Sequence, residues 1–172
     1  MRYVAIYHTE LNRGVNLKKQ ILDVCCGSKM FHFDKHNPLI HFNDIRNESY
    51  PLCDGRFLDI EPDTSYDFKN LPFDDNQFNL VIFDPPHLMH IGNNSWMAKK
   101  YGKLDESTWQ ETLHDGFKES YRVLAPGGTL IFKWCDSDIS ISDILKIVNV
   151  QPVIGDRSRT GNSIWLVFYK NI

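Results

Sequence analysis

The sequence predicts one α/β domain built on a mostly parallel sheet, and three observations carry that prediction. Short apolar runs alternate with helical patterns along the 172 residues. The runs "FNLVIFD" (Phe78 to Asp84) and "GTLIFKW" (Gly128 to Trp134) are apolar almost without a break, as strands buried on both faces are. Several runs also end in chemically distinctive residues: Asp23 before two cysteines and Gly27, then Asp44, then Asp84 before two prolines.

Residues 1–19 read as an N-terminal extension in which "RYVAIY" suits either a strand or the start of a helix. "QILDVCCG" (Gln20 to Gly27) is the first strand of the core and its turn. The segment from Ser28 to Pro38 is expected to hold a first helix of barely two turns, because Pro38 closes it. "LIHFND" (Leu39 to Asp44) is the next strand, and Phe78 to Asp84 another. Trp109, Leu113, Phe117, Tyr121 and Leu124 recur at helical spacing, Thr108 with Glu111 offers a capping box, and "APGG" (Ala125 to Gly128) ends the helix. Gly128 to Trp134 returns to the sheet, and "SISDILKIVN" (Ser140 to Asn149) is a second helix. Only a short loop, Gly155 to Asn162, joins Pro152–Ile154 to the final strand "IWLVFYK" (Ile164 to Lys170). A loop of that length suits a hairpin, so the sheet should have an antiparallel edge, with helices on both faces.

Composition narrows the class of protein. An apolar fraction of 42% and a mean hydropathy of -0.37 describe a soluble globular chain. No run approaches the roughly 20 apolar residues of a membrane span, and the N-terminus lacks the apolar centre of a signal peptide, so a cytoplasmic protein is expected. Cys25 and Cys26 are adjacent while Cys53 and Cys135 stand alone, so no paired metal-ligand spacing exists and reduced thiols follow. Net charge is -3 and the pI about 6.1, so any contact with nucleic acid must be local. The local positive clusters are Lys99, Lys100 and Lys103, and Arg157 with Arg159.

Ligands of doubly wound sheets bind at the carboxyl ends of the strands, where these acidic residues fall. Asp44 follows Asp23 at about the twenty-residue spacing at which a carboxylate reaches a ribose hydroxyl pair. A dinucleotide needs GxGxxG for close approach of its pyrophosphate, yet only Gly27 is present in this loop. That pattern favours a nucleoside without phosphates over NAD.

The ordered set "LDVCCGS", "ND" at Asp44, "DFKNLPFDDNQFNLVIFDPPH" and "RVLAPGGTLIFKW" resembles class I S-adenosylmethionine-dependent methyltransferases. Within them it is similar to small DNA methyltransferases carried by phages and prophages. The resemblance runs from about Gln20 to Tyr169 and implies a Rossmann-like, seven-stranded sheet with one antiparallel strand. It implies a single methyltransferase domain over 1–172, with its core at 20–170 and no separate target-recognition domain. It also implies S-adenosylmethionine as cofactor: Asp23, Cys25 and Gly27 at the methionine end, Asp44 on the ribose, Ile45 on the adenine, and Asp67 with Phe68 at the adenine amino group and ring. Cys25 and Lys29 stand where that family usually has glycine.

Asp84-Pro85-Pro86-His87 resembles the D/N/S-P-P-aromatic motif of enzymes that methylate exocyclic amino groups. The chemistry explains the residue types. An aromatic amine is a poor nucleophile because its lone pair is delocalised into the ring. The Asp84 carboxylate and the Pro85 carbonyl can accept both amine hydrogens and so favour a pyramidal nitrogen. Pro85 and Pro86 hold the loop extended and supply no backbone donor to occupy those acceptors. His87 stands where the family places Tyr, Phe or Trp to stack on a flipped base. Leu88 to Leu104, with Trp96, Tyr101 and three lysines but no period, reads as a loop over the site, suited to a nucleic-acid strand or to excluding water.

The resemblance therefore implies N-methylation of a nucleic-acid base, adenine N6 ahead of cytosine N4. Three alternatives stand beside it. One is methylation of a small molecule or protein amide, another a non-catalytic cofactor-binding module, and the most distant a nicotinamide oxidoreductase.

Overall fold

The computed structural model describes residues 19–52, 54–156 and 163–171. The N-terminal extension through residue 18, Cys53, Arg157 and Arg159 lie outside the described residues. A six-stranded sheet runs in the order β2 (Ile40–Phe42), β1 (Ile21–Asp23), β5 (Phe78–Phe83), β6 (Leu124–Cys135), β8 (Ser163–Tyr169), β7 (Ile154–Gly155). β1 lies between β2 and β5 and is parallel to both, with Leu22 opposite His41 on one side and Val81 on the other. β5 and β6 are also parallel, Phe83 opposite Phe132. β8 runs antiparallel to β6 and to β7.

Alternation along the strands makes one apolar face. Leu22, Val24, Val81, Phe83, Leu130, Phe132, Trp134, Leu166 and Phe168 form a single buried cluster. Onto it pack α2 (Trp109–Val123) through Leu113 and Phe117, and α3 (Ile141–Val148) through Ile144 and Val148. Phe117 meets Phe132 and Phe168 edge-on at 6.1 and 5.0 Å between ring centres. The Trp134 indole, buried on this face, donates to the Ile139 carbonyl at 2.9 Å.

The architecture departs from the sequence reading in five places. First, the main sheet has six strands among the described residues, not seven. Beyond β2 there is only one parallel bridge, Asn43 to Thr64, while β3 (Glu48–Pro51) and β4 (Phe57–Ile60) pair with each other as a separate antiparallel ribbon. Second, residues 28–38 form turns rather than a helix. Asp34 accepts from the His36 amide and Asn37 from the Leu39 amide, local bonds that compete with helical ones.

Third, helices do not cover both faces among the described residues. α2 and α3 share a face, and the opposite face is covered in part by the 28–38 loop, whose Phe31 packs edge-on against Trp165 and His32 against Phe42. Fourth, the 88–104 segment contains a short helix, α1 (Trp96–Tyr101), which the absence of a long period concealed. Ser95 caps it by accepting from the Ala98 amide. Fifth, the capping box expected for α2 fails to form, since the Thr108 side chain makes no capping bond. Cys25, Cys26 and Cys135 are free thiols, and no helix among the described residues is long and apolar enough to cross a membrane.

Candidate active site

A cavity of about 430 Å³ opens where β1, β2, β5 and β6 end. It brings together Cys25, Gly27, Asp44, Ile45, Phe68, Asp84, Pro85, Pro86 and His87, residues up to 62 positions apart in the chain, Cys25 to His87. Asp23 and Asp67 do not line it. Asp23 lies fully buried behind Cys25, accepting from the Cys25 amide at 3.3 Å and paired with His32 Nε2 at 2.7 Å. Burial raises its carboxyl above the ordinary range, and the His32 bond opposes that shift. Asp67 turns to the surface, where it accepts from the Lys69 amide and lies 3.6 Å from the Lys69 ammonium.

Gly27 makes the bend after β1 with φ +51, a left-handed conformation natural to glycine. Its amide donates to Asp44 Oδ2 at 2.9 Å, which ties the first strand's turn to the end of the second. Arg46 then grips the same carboxylate: Nε donates to Oδ1 at 2.9 Å, Nη2 to Oδ2 at 3.0 Å, and the Arg46 amide to Oδ1 at 3.0 Å. The remaining guanidinium nitrogen, Nη1, donates to the Lys99 carbonyl in α1 at 3.0 Å. Asp44 is nearly inaccessible beneath these contacts.

At the far end of the cavity Asp84 leaves β5 and meets Lys133 of β6, with Nζ 2.6 Å from Oδ2. Burial pushes the Asp84 carboxyl up to about 6, although Lys133 pulls it down. His87 is buried, its ring centre 5.7 Å from Tyr101 and 6.1 Å from Trp134. Burial first, then the Lys133 charge, lowers its pKa, while the Pro85 carbonyl acts as an acceptor that favours the protonated ring. A carbonyl oxygen has two lone pairs, so Pro85 can accept from a further donor while it faces His87. Burial also raises the Cys25 thiol well above its ordinary range, so it lines the cavity as a neutral group.

α1 forms a wall of this cavity. Met97, Lys100 and Tyr101 face it, and Gly102 at φ +74 lies so close to Pro86 that a Cβ would come within 2.8 Å of the proline ring. Of the predicted positive cluster, Lys100 is therefore at the cavity, whereas Lys99 lies over the Tyr50 ring and Lys103 bonds to Asn93. Lys29 is left-handed at φ +56 and swings away over the Phe42 ring at 4.3 Å, so it leaves the cavity clear.

Sequence reasoning missed Phe31, Arg46 and Lys133 as cavity residues. The signal for Lys133 was present, a lone charge within an apolar strand run. Arg46 and Phe31 carried none, because their proximity depends on the turns that place them.

No family model matches the chain, and no curated protein does. Solved structures do resemble it. The PH0226 protein of Pyrococcus horikoshii aligns over 98% of this chain and 89% of its own, at 15% identity and a TM-score of 0.55. A TehB-like SAM-dependent methyltransferase from Corynebacterium glutamicum aligns over 98% and 96%, at 14% identity and 0.54. A SAM-dependent methyltransferase from Methanosarcina mazei aligns over 95% and 97%, at 11% identity and 0.51. The chain shares the fold of these three structures, two of which are described as SAM-dependent methyltransferases. At such identities the likeness is one of architecture, and the case for chemistry rests on the cavity.

Proposed function

We propose that this chain is an S-adenosylmethionine-dependent methyltransferase that acts on an exocyclic amino group of a nucleic-acid base, adenine N6 ahead of cytosine N4. One observation carries the reading: Asp84-Pro85-Pro86-His87 opens into the same cavity as the Gly27 turn and Asp44. A cofactor site and an amine-accepting site are therefore continuous. The cavity is large enough for a nucleoside ligand, within the roughly 300–1,000 Å³ of small-molecule sites. Its lining fits once Arg46 yields acceptor positions on Asp44, which then suit a ribose diol, while the apolar Ile45 and Phe68 suit a purine ring.

When bound, the cofactor supplies an electrophilic methyl group on a sulfonium. The chain's own residues do the rest. Asp44 and the Gly27 turn hold the nucleoside end, and Ile45 and Phe68 flank its ring. Asp84 accepts an amine hydrogen, and the free lone pair of Pro85 accepts the second, which turns the nitrogen lone pair towards the methyl. Asp44 and Asp84 are each paired with a cation, Arg46 and Lys133, so the rate advantage offered by these residues is one of positioning rather than of net charge.

A second reading, methylation of a small molecule or protein amide, draws on the placement of His87. With Tyr101 packed against it, His87 can stack on a flipped base only after α1 moves, whereas a small target needs no such opening.

The deciding experiment incubates the protein with labelled cofactor and unmodified DNA and RNA, followed by mass spectrometry of digested nucleosides. Methylated amino bases, lost in Asp84→Ala while cofactor binding persists, are the expected result. Bases left unmodified by a protein that binds cofactor would overturn the nucleic-acid reading.

A further inference from the structure

Lys133 has no assigned part in the chemistry above, yet its place is unusual. It is a cation in the apolar run Leu130 to Trp134, on the face opposite the helices. Phe83 pairs with Phe132, so Asp84 and Lys133 are the next residues along two adjacent parallel strands. On its other side Lys133 pairs with Trp165 of β8. Its ammonium lies 5.8 Å from the Trp165 ring centre and 5.7 Å from that of Phe31, and 2.6 Å from Asp84 Oδ2. Two aromatic faces and a carboxylate thus restrain a side chain that is otherwise flexible.

We propose that Lys133 is the positioning residue for Asp84: it engages one carboxylate oxygen and keeps the group ionised, leaving the other oxygen to accept the target amine. The inference rests on the amino-methyltransferase reading for its purpose, but not for its physical content. Asp84 is buried and lies within the influence of Asp23, both of which favour its neutral form. A neutral Asp84 has one acceptor oxygen and a hydroxyl that repels an amine hydrogen. Lys133 is the cation beside it that opposes that outcome.

The test follows the Asp84 carboxyl carbon by NMR titration in the wild type, Lys133→Met and Lys133→Arg, with kcat against pH measured on the same proteins. In Lys133→Met the Asp84 midpoint should move up by roughly one to three pH units. Its kcat at pH 7 should fall about tenfold and recover towards pH 9, with little change in cofactor KM. Lys133→Arg keeps the cation and should stay close to the wild-type midpoint. An unmoved midpoint in folded Lys133→Met, or a loss of rate equal at every pH, overturns the proposal. The titration needs no substrate, so it decides the role of Lys133 even if nucleic acid proves not to be the target.

Discussion

Arg46 holds both oxygens of Asp44 in a forked pair, at 2.9 and 3.0 Å, and completes the carboxylate's coordination together with two backbone amides. A carboxylate offers about four acceptor positions, so a ribose diol must compete with the guanidinium for them. Arg46→Gln should therefore bind S-adenosylmethionine about fivefold more tightly, the equivalent of roughly 1 kcal/mol for a part-exposed ion pair. Asp44→Asn should weaken binding by tenfold or more, in the range of about 1.5–3 kcal/mol for a hydrogen bond to a charged group. Isothermal titration of both variants checks this. If Arg46→Gln weakens binding as much as Asp44→Asn, Arg46 supports the cofactor rather than competing with it.

The Asp84 carboxyl, pushed up to about 6 by burial, sets a pH dependence. The accepting form is the carboxylate, so activity should be full well above pH 6 and fall as pH drops through it. An ordinary aspartate, near 3.9, would leave the rate flat across that window. Profiles of kcat from pH 5 to 9 should show one acidic limb with a midpoint near 6. In Asp84→Asn the limb should vanish along with most of the rate. A flat wild-type profile down to pH 5 would remove Asp84 from the accepting role.

The sheet and the motif positions were legible because they depend on local pattern. Continuous apolar runs mark β5 and β6, and their terminal Asp84 needs only strand direction to reach the cavity. Asp44 reached it for the same reason. What failed depends on tertiary context. Residues 28–38 contain enough apolar side chains for a helix, but Asp34 and Asn37 divert the backbone into turns. Asp23 has the motif position yet not the exposure, because His32 from that loop covers it. Lys133 was visible as a charge in an apolar run, but its partner is 49 positions earlier in the chain and only the parallel register joins them.

Arg122 staples the segment after Phe68 onto α2. Its guanidinium donates to the Leu71 carbonyl at 2.7 Å, the Phe73 carbonyl at 2.8 Å, Asp75 at 2.7 Å, and both oxygens of Glu119 at 2.8 Å. Glu119 in turn accepts from the Leu71 amide at 3.0 Å. Arg122→Ala should cost about 2–3 kcal/mol, read as a lowered midpoint in urea at an unchanged slope. The Arg122 bond holds the Glu119 carboxyl below its usual range. Glu119's contribution is accordingly present above the ordinary value near 4.3 and lost as pH falls through the lower folded value. Glu119→Gln should then destabilise more at pH 7 than in acid, the difference shrinking as pH falls below the ordinary glutamate range.

Gly116 connects the helical face to the cavity. It is buried in α2, and a Cβ there would lie 2.5 Å from Phe68 Cδ2 and 2.7 Å from Phe83 Cζ. Phe83 is fully buried at the end of β5, packed against Phe132, and cannot yield, while Phe68 borders the cavity and has space to enter it. Gly116→Ala should therefore cost about 1–3 kcal/mol of stability as an overpacked core does. It should also displace Phe68 into the volume assigned to the cofactor ring. Cofactor KM should rise several-fold at temperatures well below unfolding, with kcat at saturation less affected. Phe68→Ala in the same background removes the clash and should restore much of the lost stability, whereas it would add to the damage if the two residues were uncoupled. Thermal unfolding of the single and double variants separates these outcomes.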